Sequence, residues 1–201
     1  MTISYTIKED IIREQVIRTA QELFQRNGLD KVTMENVAEA VGKAKSSLYY
    51  YFKSKEEIWD AVLDVEISEI LTKIDQAVEQ ANSVEEKIHA FCWTMLKVLR
   101  KKRALYHITY GPGEIVKRHK STSAIRRRFV KQESVMLNQI LTQGIDSGEL
   151  RHLNQRDQDL LVFVLVSGLK GLEKEMVIEK DYNLESATYA LSHMIINGLK
   201  A

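Results

Sequence analysis

Residues 33–55, TMENVAEAVGKAKSSLYYYFKSK, constrain this chain more than any other stretch. Met34, Val37, Ala38 and Val41 recur at helical spacing and predict a short helix over 33–40 with one apolar face. Thr33 stands where an N-cap belongs, its hydroxyl able to accept from a backbone N–H of the first turn. Gly42 stops the helix, because glycine enters the left-handed conformation without a Cβ clash. After a short turn, Ser46 to Phe52 read as a second helix, with Leu48 and Phe52 four apart on its buried side. Ser54 and Glu57 have capping-box spacing and open another helix. Two short helices joined by a tight glycine turn are a helix-turn-helix, whose second helix is the one that enters a DNA groove.

The exposed face of that second helix carries Lys45, Ser46, Ser47, Tyr49 and Tyr50. Lysine neutralises phosphate, serine donates to phosphate or a base edge, and tyrosine offers a hydroxyl and an apolar face. Small residues at 46 and 47 also let the helix approach a groove closely. A solvated helix whose tyrosines only pack would carry the same residues, and spacing alone leaves the two readings level.

The run Leu48-Tyr49-Tyr50-Tyr51-Phe52-Lys53-Ser54-Lys55-Glu56, preceded by Thr33, Val37, Ala38 and Gly42, resembles the tetracycline-repressor (TetR) family of bacterial transcription regulators. The family pattern has leucine or isoleucine, tyrosine, any residue, histidine or tyrosine, phenylalanine, and a lysine three further on. The resemblance implies that Thr33 contacts phosphate at the start of its helix and that Lys45, Ser46 and Ser47 face the major groove. It places Tyr49 at the groove edge, Tyr50 and Tyr51 on the backbone, and Lys55 on a phosphate at the next helix start. Open N–H groups at that start also favour an anion. Two positions depart from the pattern, which usually has an apolar residue after the glycine and then a serine or threonine cap. Here they are Lys43 and Ala44. Lys43 reads either as an added phosphate contact or as a solvated turn residue, and Ala44 cannot cap through its side chain.

The motif covers about the first quarter of the chain; the remainder resembles the family in length and helical layout. The expected fold is all-α. An N-terminal three-helix helix-turn-helix unit (residues 1–54) is joined by a long helix to an all-helical ligand-binding and dimerisation domain (residues 55–201). A single proline and the absence of hairpin signals argue for helices throughout. The lone Cys92 excludes an internal disulfide and fits a reducing cytoplasm. No signal peptide opens the chain, and the longest apolar run, Leu160 to Val166, is too short to span a bilayer, so no membrane partner is expected.

Periodicity lays out the other helices. Residues 9–27 bury Ile12, Val16, Ala20, Leu23 and Phe24, and Asn27-Gly28 ends them. Residues 55–81 form a long acidic helix with Ile58, Val62, Val65, Ile70, Ile74 and Val78 roughly on one side. A second capping box, Ser83 to Glu86, opens the next helix, and Tyr110-Gly111-Pro112-Gly113 is the clearest break. Further helices are expected from about 123 to 147, 157 to 178 and 184 to 199.

The last two helices carry Phe163, Ser167, Gly168 and Gly171, then Leu184, Ala187, Leu191, Met194, Ile195 and Gly198. Small residues at 167, 168 and 171 allow close helix approach. Such a seam serves equally as internal core or as the contact with a second copy; the resemblance implies the second, a homodimer built from the last two helices.

Charge is uneven. Residues 97–131 carry net +11, whereas residues 56–96 carry −8 and residues 1–55 only +2. Affinity for DNA would therefore rest on a few placed lysines and backbone donors. The resemblance also implies a ligand pocket in the second half. Phe91, Met95, Leu99, Tyr106, Phe129, Met136, Ile140, Phe163 and Val166 are the candidates to line it, though some must simply be core. A solvated basic face, or a neighbour for the acidic helix, is the commoner cause of the basic run. The sharper reading puts Arg100, Lys101, Arg103, Lys117 and Arg118 at the pocket mouth, holding the anionic head of an apolar, acyl-CoA-like ligand.

Five scattered histidines show no paired ligand spacing, so no metal and no cofactor is expected. No phosphate loop or nucleophile elbow supports an enzyme. The expected function is a cytoplasmic, ligand-responsive, dimeric DNA-binding regulator. It would repress by holding double-stranded operator DNA until a hydrophobic small-molecule effector releases it. The alternative is a helical dimer that binds protein or a small molecule without specific DNA binding.

Overall fold

The computed structural model describes residues 2–105, 120–178 and 183–200. Among them are eight α-helices: α1 (Thr2–Asn27), α2 (Met34–Val41), α3 (Lys45–Tyr51), α4 (Lys55–Glu79), α5 (Val84–Leu105), α6 (Lys120–Asp146), α7 (Gln155–Ile178) and α8 (Leu184–Leu199). One 3-10 turn, Leu29–Lys31, follows α1. The fold is all-α. Against the expected boundaries, α1 extends back to Thr2, α4 ends at Glu79, α6 begins at Lys120 and α7 begins at Gln155.

Local chemistry accounts for the helix ends. At both capping boxes the serine accepts the N3 amide: Ser54 Oγ from Glu57 and Ser83 Oγ from Glu86, each at 3.2 Å. The returning carboxylate does not reach the serine's own amide. Glu57 accepts from Lys53 N at 2.6 Å and Glu86 from Asn82 N at 2.8 Å, one residue further out. Gly148 closes α6 at φ 78°, a conformation that favours glycine.

Apolar faces gather into two cores. The first takes Val16, Ala20 and Phe24 from α1, Met34, Val37, Ala38 and Val41 from α2, Leu48 from α3, Phe52, and Ile58, Trp59 and Val62 from α4. Phe24 meets Trp59 edge to face at 5.3 Å. The second core begins at Ile70 and Ile74 of α4 and continues through Ile88, Phe91, Met95 and Leu96 of α5 into α6, α7 and α8. Helix α5 packs against α4, α6, α7 and α8 and so stands at its centre.

The buried stripe of α4 corrects the sequence reading. Val65 is exposed, and the inward position is Glu66. Burial follows steps of four, Ile58, Val62, Glu66, Ile70 and Ile74, which a count of apolar residues alone passes over.

One glycine is a packing residue. A Cβ built on Gly144 in α6 would lie 2.6 Å from Val84 Cγ2 and 2.9 Å from Leu150 Cδ1. Gly144→Ala should therefore destabilise the chain by about 1–3 kcal/mol as α5 and the 150 loop are pushed outward, despite alanine's better helix propensity. Denaturant melts of the purified variant check it; an unchanged midpoint would mean that Val84 and Leu150 can repack freely.

Candidate nucleic-acid interface

The helix-turn-helix is built by short-range bonds. Thr33 caps α2: its Oγ1 accepts from Asn36 N at 3.2 Å, and Asn36 Oδ1 accepts from Thr33 N at 3.0 Å. Gly42 sits at φ 70° and closes α2 with a Schellman pair, Lys43 N to Ala38 O at 2.9 Å and Gly42 N to Glu39 O at 3.0 Å. Ala44 is extended and gives α3 no side-chain cap. The helix nonetheless starts at Lys45, anchored by Leu48, 1% exposed, and by Phe52, fully buried just beyond its end. Packing of one face, not the cap, holds this short helix in place.

That packing turns the other face outward. Lys43, Lys45, Ser46, Ser47, Tyr49 and Tyr50 are exposed, Thr33 is exposed at the head of α2, and Tyr51 is half-buried, edge to face with Tyr50 at 5.1 Å. Lys45 is engaged: its ammonium pairs with Glu35 and lies 5.9 Å from the Tyr49 ring centroid. The hydrogen bond from Lys45 holds the Glu35 carboxyl below its ordinary range, and the same partner raises the Lys45 ammonium. A phosphate or base that takes Lys45 must displace Glu35. Lys55 is engaged too. Its Nζ donates to the Leu29 carbonyl at 3.0 Å, tying the start of α4 to the turn before α2.

Arg13 of α1 carries a role that motif reading missed. Its guanidinium donates to the Tyr51 carbonyl and lies 4.3 Å over the Phe52 ring, clamping the end of α3 to α1. Nothing local in the sequence signals this, since the two ends of the contact lie far apart in the chain. Glu35, equally unremarked, follows α2's first residue in an ordinary acidic first turn.

The proposed ligand residues divide. Phe91, Met95, Ile140 and Val166 are buried in the second core, with Leu99, Phe129 and Met136 packed against it. Arg100 and Lys101 are exposed. Phe163, by contrast, is 67% exposed. A groove of about 270 Å³ between α6 and α7 is lined by Phe163 together with Val130, Ser134 and Lys170. The Arg103 side chain, Tyr106, the Tyr110–Gly113 break, Lys117 and Arg118 lie outside the described residues.

Of the proposed association residues, Phe163, Ser167, Gly168, Gly171, Met194 and Gly198 are exposed, and Ala187, Leu191 and Ile195 are half-buried. Leu184 is buried. Helix α8 faces its own core with Leu184, Thr188, Ser192, Ile196 and Leu199. The two hydroxyls on that face are satisfied by back-bonding, Thr188 to Leu184 O and Ser192 to Thr188 O, both 3.0 Å. Most of the association seam therefore lies beside this internal face, with its outer edge in the open.

Among the described residues, no helix is long and apolar enough to cross a membrane. No group of three or more histidine, cysteine or acidic side chains among them could hold a metal ion.

Residues 16–62 match the family described as bacterial regulatory proteins, tetR family. That match spans the Val16 end of the first core, both short helices and the opening of α4 through Val62. An uncharacterized HTH-type transcriptional regulator of Bacillus subtilis (strain 168), YhgD, is 26% identical over 157 residues, 77% of this chain and 78% of that protein. Among solved structures, a transcriptional regulator from Cytophaga hutchinsonii superposes with a TM-score of 0.74 at 22% identity, covering 94% of this chain and 98% of its own. The regulator FadR from Bacillus subtilis, in complex with stearoyl-CoA, superposes with a TM-score of 0.66 at 20% identity, covering 92% and 98%. At such identities the two structures speak for the fold alone, and the matched segment is the one that carries the helix-turn-helix. These relatives are transcriptional regulators rather than enzymes, and over residues 16–62 this chain carries the helix-turn-helix segment of the tetR family of bacterial regulatory proteins.

Proposed function

We propose that this protein is a dimeric, cytoplasmic repressor that holds a near-palindromic operator and releases it on binding a hydrophobic, anionic small molecule of the acyl-CoA type. The observation that carries the DNA reading is α3. One side is fixed in a core by Leu48, and the other leaves Lys45, Ser46, Ser47, Tyr49 and Tyr50 exposed. Such a helix suits a major groove, with phosphate contacts setting its register and side chains reading base edges. Thr33 and Lys43 would meet phosphate beside it, and Tyr50 and Tyr51 the backbone. Lys55, held by the Leu29 carbonyl, would position the α2 turn as well as meet phosphate.

The effector half of the proposal is supported by the apolar content of the body around Phe91, Met95, Phe129 and Met136, and by the acyl-CoA seen in the FadR relative. The division of labour, residues 1–54 for DNA and residues 55–201 for ligand and pairing, belongs to the same proposal. A ligand would matter only by preferring a conformation whose reading helices are wrongly spaced for DNA.

Capture of genomic fragments by the purified protein at low salt, followed by footprinting, tests the DNA half. Protected half-sites should repeat about 34–36 Å apart, one helical turn. No enriched site would favour the helical dimer without specific DNA binding. For the effector, operator release is compared with stearoyl-CoA, stearate and a cationic hydrophobic dye. Stearoyl-CoA should release the DNA, and Arg100→Ala should raise the concentration needed by about 10-fold, the worth of one charge-assisted phosphate contact. Release by the dye alone, indifferent to Arg100→Ala, would replace the anionic ligand with a hydrophobic cation.

A further inference from the structure

The buried stripe of α4, Ile58, Val62, Glu66, Ile70 and Ile74, has a carboxylate as its middle member, 4% exposed. Ile58 and Val62 belong to the first core and Ile70 and Ile74 to the second, so Glu66 stands where one gives way to the other. Its two oxygens serve different halves of the molecule. Oε1 accepts from Gln21 Nε2 at 2.7 Å, on α1 next to Ala20. Oε2 pairs with the ammonium of Lys102 on α5, which also reaches Glu69 at 2.7 Å. Burial alone would push the Lys102 ammonium down, but Glu66 and Glu69 outweigh it and hold it above its ordinary range.

A carboxylate is a costly choice here. An apolar residue continuing the stripe would pack at least as stably, because desolvating an ion pair offsets much of its attraction. What the carboxylate adds is geometry. Two donors from different halves must meet one group at hydrogen-bond distance, whereas apolar contacts tolerate sliding.

We propose that Glu66 is a positioning residue for DNA recognition, tying α1 of the helix-turn-helix unit to α5 of the body, and that Lys102 is the handle through which the body acts on it. The proposal rests on the DNA-regulator reading above. Lys102 lies near the C-terminal end of α5. A shift of that end by about 1–2 Å, an ordinary helix displacement, parts Lys102 from Glu66. A buried carboxylate then loses a cation that faces it from α5, and the present seating of α4 against α1 becomes less favourable. Paired and parted are two discrete arrangements, which is what a ligand in the body needs in order to bias the reading helices.

The test uses Glu66→Gln, Lys102→Met and the double variant in the full-length protein. Labels are placed at Glu39→Cys on α2 and Gln139→Cys on α6, both exposed, with labelled protein diluted into unlabelled. Cys92 stays, since burial pushes its thiol up to about 12 and keeps it from the label. Three quantities are read: melting temperature, affinity for a DNA site captured from genomic fragments, and the distribution of label distances. Lys102→Met should lower all measures of order, because it takes a cation from beside a buried carboxylate. The double variant removes both charges of the pair and should melt like the parent. It should still show a broadened distance distribution and a DNA affinity about fivefold or more below the parent, within the range of measured coupling effects. Glu66→Gln alone should broaden the distribution with little change in melting. A double variant that matches the parent in distance distribution and affinity would reduce the pair to a structural contact. A parent that binds no DNA at all would overturn the regulator reading, while the distance distributions would still decide whether Glu66 positions the head.

Discussion

Gly168→Leu is expected to leave the protomer folded and to strip it of its pairing. A Cβ built at Gly168 or Gly171 meets nothing within 4 Å, so no contact among the described residues uses their smallness. On the same helix Leu160 is exposed at 59%, Phe163 at 67% and Val164 at 55%, and α8 separately exposes Tyr189 at 56% and Met194 at 66%. Exposed apolar side chains in such number along α7 mark an interaction surface, and a stable helical interface would bury more than ~1,000 Å² in total. Leucine should raise the melting temperature of the isolated protomer slightly, since glycine within a helix costs roughly 0.5–1 kcal/mol. The same leucine keeps a second copy of α7 from closing on the first. Sedimentation at micromolar concentration should show a dimer for the parent and a monomer for the variant. Affinity for a two-half-site operator should fall by about 10²-fold or more, the usual worth of linking two binding modules. A variant that sediments as the parent does would place the interface elsewhere.

The same face marks where sequence reasoning stops. Helix α7 has two apolar sides: Val162, Leu165, Val166 and Leu169 are buried, and Leu160, Phe163 and Val164 are exposed. Periodicity finds both and cannot say which one the chain itself covers, so Phe163 read equally as pocket lining and as association residue. The N-terminal unit was legible because its rules are local. Thr33 caps, Gly42 takes a positive φ, and Leu48 and Phe52 fall on one side, all within a few residues of what they act on. Arg13 on Tyr51, Gln21 on Glu66 and Lys102 on Glu66 were illegible for the opposite reason. Each joins side chains brought together only by tertiary packing, and each includes a polar residue that looks solvated when read alone. Gly144 was passed over because it closes no turn. Its need for glycine comes from Val84 and Leu150, on other parts of the chain.

Ser47→Glu should separate stability from DNA binding by moving them in opposite directions. Ala44 leaves α3 without a side-chain cap, and Ser47 is the third residue of the helix. A glutamate there can return a hydrogen bond to the open amide at the helix start and lies favourably against the positive end of the helix. The serine is exposed and lies outside the packed face of α3, so its loss should cost the fold within about 0.5 kcal/mol, the ordinary range for a surface substitution. The melting temperature should hold or rise. On DNA the same carboxylate faces the phosphates, where like charges placed together cost several kcal/mol, and affinity should drop on the order of 10²-fold or more at 1.4 kcal/mol per factor of ten. Added salt should shrink that gap, because the penalty is coulombic and screened. Ser47→Gln supplies the control: it keeps the reach to the helix start, carries no charge, and should lose far less affinity. Melting curves and binding isotherms at two salt concentrations, on the captured site and on random-sequence DNA, measure all of this. Parent-like affinity for Ser47→Glu would show that α3 does not read the groove, whatever its resemblance to helices that do.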